Sequence, residues 1–351
     1  MSSATAKQAC RELLVEIRKI SKPEEPGWKA IHRAADRAKP AWKREFLAAV
    51  KATQDAVSAK AVEAALIVGN AKEAYEAIDW GAMNALESTW QTSMLDLMDQ
   101  GAAVAAKDLP AITVAPPTPP GGRPTLTAVG GQPPPAAVLT FRFDITNPEA
   151  VRYAETKSAE LVAELVGESG RAIKAKIQRD VTRAFNEGIP PAKLAREIKQ
   201  YIGLTERQTE AVETFQVKRE KLIANIYHDL TPGQVQQKAG DQTDRYRAKL
   251  LSQRAETIAR TETISASSAG QQELWRQAKL EGFLGDRVQK WLITPDDRLC
   301  PTCSQMTGDR SYAEMGATFD TPLGASIGPA LHPQCRCGIS SVRRSQMEAS
   351  L

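Results

Sequence analysis

Cys300-Pro301-Thr302-Cys303 and His332-Pro333-Gln334-Cys335-Arg336-Cys337 are the two stretches on which the architecture turns. Four of the chain's five cysteines and one of its three histidines lie in them. A pair of cysteines two residues apart can present both sulfurs to one point. A second cluster further along can complete a tetrahedral shell of S and N donors, the arrangement that Zn²⁺ takes in structural sites. Cys300, Cys303, His332, Cys335 and Cys337 are five candidates for four places. In extended chain Cys335 and Cys337 share a face, because side chains repeat every second residue, and His332 could replace either. Disulfides and unliganded thiols remain the alternatives. The scarcity of cysteine elsewhere and the lack of a secretory pattern at Met1-Ser2-Ser3-Ala4 favour a reducing compartment and a metal. A shell so rich in cysteine leaves no open position for water, so the metal is expected to be structural.

Outward from this centre the texture is that of a small β-containing module, residues 286–343. Val288 to Thr294 reads as a strand, and Cys335 to Val342 as a returning strand beside Trp291. Between them, Ser304 to Ala330 is rich in Gly, Ser, Thr and Pro and has little apolar periodicity. A loop of that length inside a domain calls for a clip across its ends.

Upstream the chain reads as helix. Asn147 and Pro148 start one helix as cap and first residue. Gly167 and Gly170 suggest a break, and a second helix follows over 171–186, with Ile173, Ile177, Val181 and Phe185 as its apolar stripe. Its other faces carry Arg171, Lys174, Lys176, Arg179 and Arg183, a basic surface able to meet phosphates or an acidic protein, or simply a solvated face. A short helix ends at Gly203. Thr205 to Gln208 fits a capping box. Thr231-Pro232-Gly233 reads as a turn, and a long helix follows over 241–281. Within it Arg260 and Glu262 do not face each other and each needs its own partner. These two, with Asp297 and Arg298, are expected to be structural polar residues. His32 and His228 stand isolated.

Residues 1–108 form a helical N-terminal region. Leu13, Leu14, Ile17 and Ile20 recur at helical spacing. So do Trp42, Phe46, Ala49 and Val50, and later Trp80, Met83, Leu86, Trp90, Met94 and Leu97. Helix packing is the plain reading of these residues, and a docking face for another protein the alternative. Residues 109–138, with Pro116-Pro117 and Pro133-Pro134-Pro135, form a Pro/Gly-rich linker. Residues 139–345 form a second, helical domain that ends in the Cys/His module. The fold class is therefore mainly α.

With 351 residues there is room for two cores, and a net charge of +4 does not mark a nucleic-acid binder. No apolar run reaches the length of a membrane span. No Gly-rich phosphate loop or nucleophile motif appears, which argues against an enzyme with a small-molecule substrate.

The order of these pieces resembles the phage head morphogenesis family, the minor head proteins similar to phage Mu protein F. The resemblance rests on Phe143 to Ala150, on Phe185-Asn186-Glu187-Gly188 before the short helix, and on Ala259-Arg260-Thr261-Glu262-Thr263. It continues through Trp291, Asp297-Arg298-Leu299 and both cysteine stretches. It implies a minor capsid protein of a tailed bacteriophage or prophage, portal-associated and acting in virion assembly. The implied partners are the portal and other procapsid proteins, with packaged DNA a further candidate. The implied location is the host cytoplasm during assembly and then the phage head. A nucleic-acid-binding protein with a zinc knuckle is the alternative.

Overall fold

A computed structural model describes residues 26–109, 112–114, 137–139, 143–187, 190–294 and 299–350. The expected helix around Leu13 to Ile20, the interior of the linker, and Asp297 with Arg298 lie outside them. Helices dominate: α1 (Pro26–Ala56), α2 (Ala59–Ile67), α3 (Ala71–Glu76), α4 (Gly81–Asn84) and α5 (Leu86–Ala105). Two short strands, β1 (Ile112–Val114) and β2 (Ala137–Leu139), pair antiparallel at the two ends of the Pro/Gly-rich segment. Regular structure was not expected over Ile112–Val114. Then come α6 (Pro148–Glu187), α7 (Pro191–Ile198), α8 (Glu206–Ile226) and α9 (Pro232–Leu280). The C-terminal part holds β3 (Arg287–Leu292), β4 (Tyr312–Glu314), β5 (Phe319–Thr321), β6 (Gly324–Ser326), β7 (Gly338–Arg343) and α10 (Arg344–Glu348).

The described residues fall into two compact units. One takes Ala35–Met94 and Arg152–Thr263. The other takes the described residues up to Ala34, Leu95–Val151, and those from Ile264 onward. Each unit thus uses segments from both sides of the linker. The boundaries read from the sequence follow chain order instead, and they stand as a proposal about how the chain is divided.

The first unit is all helix. Trp42 and Trp90 stack with ring centroids 4.8 Å apart, and the Trp90 indole donates to Glu45 at 3.0 Å. Met83, Leu86 and Met94 are buried too, as the packing reading requires. A second cluster joins Val62 and Leu66 of α2, Ile173 and Ile177 of α6, Leu194 and Ile198 of α7, and Val212 of α8. The chain leaves α7 through a 3₁₀ turn and reverses at Gly203, whose φ of +90° only glycine adopts without strain. Thr205 and Gln208 then form the expected capping box.

Two helix boundaries differ from expectation. Helix α6 runs unbroken through Gly167 and Gly170. An interior glycine costs about 1 kcal/mol. Burying Leu161, Leu165, Ile173 and Ile177 along one side outweighs two such penalties. Helix α9 begins at Pro232, nine residues before the expected start. Thr231 and Gln234 exchange backbone and side-chain hydrogen bonds there, so the Thr-Pro-Gly turn is itself a helix cap with proline at the first position.

The second unit carries the β structure. β3 lies between β4 and β7 in an antiparallel sheet, with Trp291 opposite Ile339 and Leu292 opposite Gly338. Trp291 meets Phe319 edge to face at 5.2 Å, and Trp275, Met306 and Met315 fill the same core. In this unit the end of α5 and the second half of α9 cross at near-contact distance. A Cβ on Gly101 would lie 2.1 Å from the Ser267 carbonyl oxygen, and one on Gly270 would lie 2.0 Å from that of Met98.

Candidate metal centre

The strand register assembles the centre. Leu292 and Gly338 are paired neighbours, so the chain leaving β3 and the chain entering β7 emerge at one end of the sheet. Cys300 and Cys303 follow the first strand, and His332 to Cys337 precede the second. Each half is a tight turn. The Ser304 amide donates to the Cys300 carbonyl at 3.0 Å, and the Cys303 amide donates to Cys300 Sγ at 3.2 Å. In the second half the Cys335 amide donates to the His332 carbonyl at 3.1 Å. Gln334 adopts a φ of +65° to make that turn.

All five candidate residues come together. Cys300, Cys303 and His332 have donor atoms within 4.8 Å of one another, and so do Cys303, Cys335 and Cys337. Cys303 belongs to both triads. His332 Nε2 lies 3.1 Å from Cys300 Sγ and 3.1 Å from Cys303 Sγ. Its Nδ1 faces the Pro333 carbonyl at 2.8 Å. A carbonyl only accepts, so Nδ1 carries the proton and the Nε2 lone pair is directed at the sulfurs. Cys303 Sγ and Cys335 Sγ are 3.8 Å apart. That is about the edge of a tetrahedron of thiolates around zinc, and far from the roughly 2.05 Å of a disulfide. The four thiols are free.

Mutual hydrogen bonds and burial drive the three buried thiols apart in acidity. Cys335 is held far below the usual thiol range by hydrogen bonds from Cys303 and Cys337 and from the backbone amides of Cys337 and Leu331. Cys303 is pushed up, first by its hydrogen bond to Cys335, then by that to Cys337 and by burial. For Cys337 the hydrogen bond with Cys303 acts downward. It is outweighed by the hydrogen bond to Cys335 and by burial, and the thiol is raised. Three adjacent sulfurs cannot all be anionic unless a cation sits among them. Thiolate and imidazole donors, three of them in a buried apolar core, fit zinc in character and offer one donor more than its four places need.

The other site residues distribute differently. Arg171 and Lys174 are exposed on α6, and Lys174 lies over the Tyr75 ring at 4.3 Å. Lys176 does not belong to that surface. It is 2% exposed and bonds Asp180 at 2.9 Å and Glu213 at 3.2 Å. Arg179 pairs with Glu213 at 3.1 Å. The side chain of Arg183 lies outside the described residues. Arg260 finds Asp36 at 3.6 Å. Glu262 is buried, and its Oε2 has no hydrogen-bond partner. His32, which the sequence left isolated, reaches the centre. Its Nε2 lies 2.9 Å from the Arg336 carbonyl. No local pattern signals a contact made across 304 residues of chain.

Residues 175–340, just under half of the chain, match the family described as Phage Mu protein F like protein. The stretch holds Lys176, Arg179 and Arg183 of α6, the Arg260 segment and the whole centre, while Arg171 and Lys174 precede it, and it bears out the resemblance drawn from the motifs. Phe143 to Ala150 lies outside it. No curated protein and no solved structure matches the chain.

Proposed function

We propose that this protein is a minor head protein of a tailed phage or prophage. It acts in head assembly by binding portal and procapsid components, and it aids the packaging or delivery of DNA. It is made in the host cytoplasm and carried into the virion. The family match over 175–340, which encloses the Cys/His centre, carries this reading. No helix among the described residues is long and apolar enough to cross a membrane. We further propose that four of Cys300, Cys303, His332, Cys335 and Cys337 hold a structural Zn²⁺ that fastens the segment 304–330 between them. The protein is not an enzyme in this reading. Arg260 serves as a structural ion pair, and Asp297 and Arg298 as structural polar residues.

The experiment is co-purification of tagged protein from induced cells, with proheads and virions analysed by mass spectrometry. Portal protein in the eluate and the chain in proheads are the expected result. Absence of the chain from both particles defeats the proposal. Elemental analysis of the same protein should find about one zinc per chain. The second reading, nucleic-acid binding, draws on the exposed Arg171 and Lys174. It expects DNA affinity that falls steeply with salt, and a lack of binding at low salt removes it.

A further inference from the structure

Arg336 stands between Cys335 and Cys337, so its peptide unit sets the spacing of those two sulfurs. Its carbonyl oxygen is held from two sides. The Thr294 hydroxyl donates to it from just beyond β3, and His32 Nε2 faces it at 2.9 Å from helix α1. The oxygen can only accept, so His32 supplies the N–H. His32 is half-buried, and Ile31 and Ala34 beside it in α1 are buried. Outer hydrogen bonds that fix the backbone between metal ligands hold those ligands in their binding geometry.

From this we infer that His32 is a positioning residue of the Cys/His centre, and that a metal bound there fastens residues 26–34 to the module. The two halves of the statement are one. If His32 docking favours the metal-competent arrangement of Cys335 and Cys337, metal binding favours His32 docking to the same extent. The inference rests on the zinc reading above and adds a member to the site. It also adds a consequence, because a segment near the chain's beginning is then held or released by metal at its other end.

The test uses the full chain purified with zinc. Zinc release to a chromophoric chelator is timed for wild type, His32→Ala and His32→Gln. Hydrogen exchange of residues 29–34 is followed in wild type before and after chelation. Release about tenfold faster in His32→Ala is expected, with partial recovery in His32→Gln, whose amide can donate to the same oxygen. Amides 29–34 should lose protection on chelation while those of α8 keep theirs. The exchange measurement needs no variant, so a misfolded His32→Ala leaves the inference open to refutation. Wild-type release rates in His32→Ala, or unchanged exchange at 29–34 on chelation, overturn it while leaving zinc in place. Wild type that carries no zinc overturns the zinc reading itself, and the inference with it.

Discussion

At the scale of single residues, two buried charges have opposite consequences. Glu262 is 8% exposed, and its Oε2 has no partner. Burial raises its carboxyl above the usual range. Lys157 pulls it back and Glu164 adds to the rise. A carboxyl whose folded pKa exceeds its unfolded one opposes folding once ionised, so the protein loses stability as pH climbs from the unfolded value through the folded one. Glu262→Gln removes that loss. Its urea midpoint should exceed that of wild type at pH 8 and differ little at pH 4. A midpoint below wild type at pH 8 would show that the carboxylate has a stabilising partner. Lys176 is the contrary case. With Asp180 at 2.9 Å and both side chains within 3% of full burial, Lys176→Met takes the bonded cation away from a buried carboxylate. A loss of about 3–5 kcal/mol in denaturant unfolding is expected. The double change Lys176→Met with Asp180→Leu should recover much of it.

At the scale of elements, the crossing of α5 and α9 within one unit rests on two glycines. Gly101→Ala and Gly270→Ala each place a methyl group about 2 Å from a carbonyl oxygen of the other helix. Helix propensity favours alanine by about 1 kcal/mol, so the two effects oppose each other. The backbone overlap dominates, because neither contact is with a movable side-chain tip. Each variant should melt below wild type by calorimetry, and a melting point at or above wild type would mean that the helices separate at little cost. The same contrast explains α6. At Gly167 nothing but a side-chain tip of Arg171 would meet an added methyl, so Gly167→Ala should be neutral or stabilising.

At the scale of the whole molecule, the Cys/His centre closes a module whose three-stranded sheet and short β5–β6 hairpin are small. Sheets of this size need packing or a staple to hold. If zinc is bound as proposed, chelation should therefore strip hydrogen-exchange protection from β3 and β7, with the capped helix α8 unaffected. Cys303→Ser, which removes the residue common to both triads, should copy the chelated state. Full protection of the strands in metal-free protein would show that Trp291, Phe319 and Met306 hold the module unaided.

Much was legible in the sequence alone. Caps, turns and periodicity are local physics, so Asn147 with Pro148, Thr205 with Gln208, the reversal at Gly203 and the strand beside Trp291 could all be read from neighbouring residues. The five S and N donors could be named from spacing, and the resemblance that the match over 175–340 supports from the order of motifs. Long-range packing decided the rest. Two glycines fail to break α6 because its apolar stripe is buried along its length. Lys176 turns inward because Asp180 and Glu213 are waiting there. His32 joins the Cys/His centre because helix α1 folds onto a loop 304 residues away. No stretch of chain encodes such a contact by itself, since it arises only when distant surfaces are buried against each other.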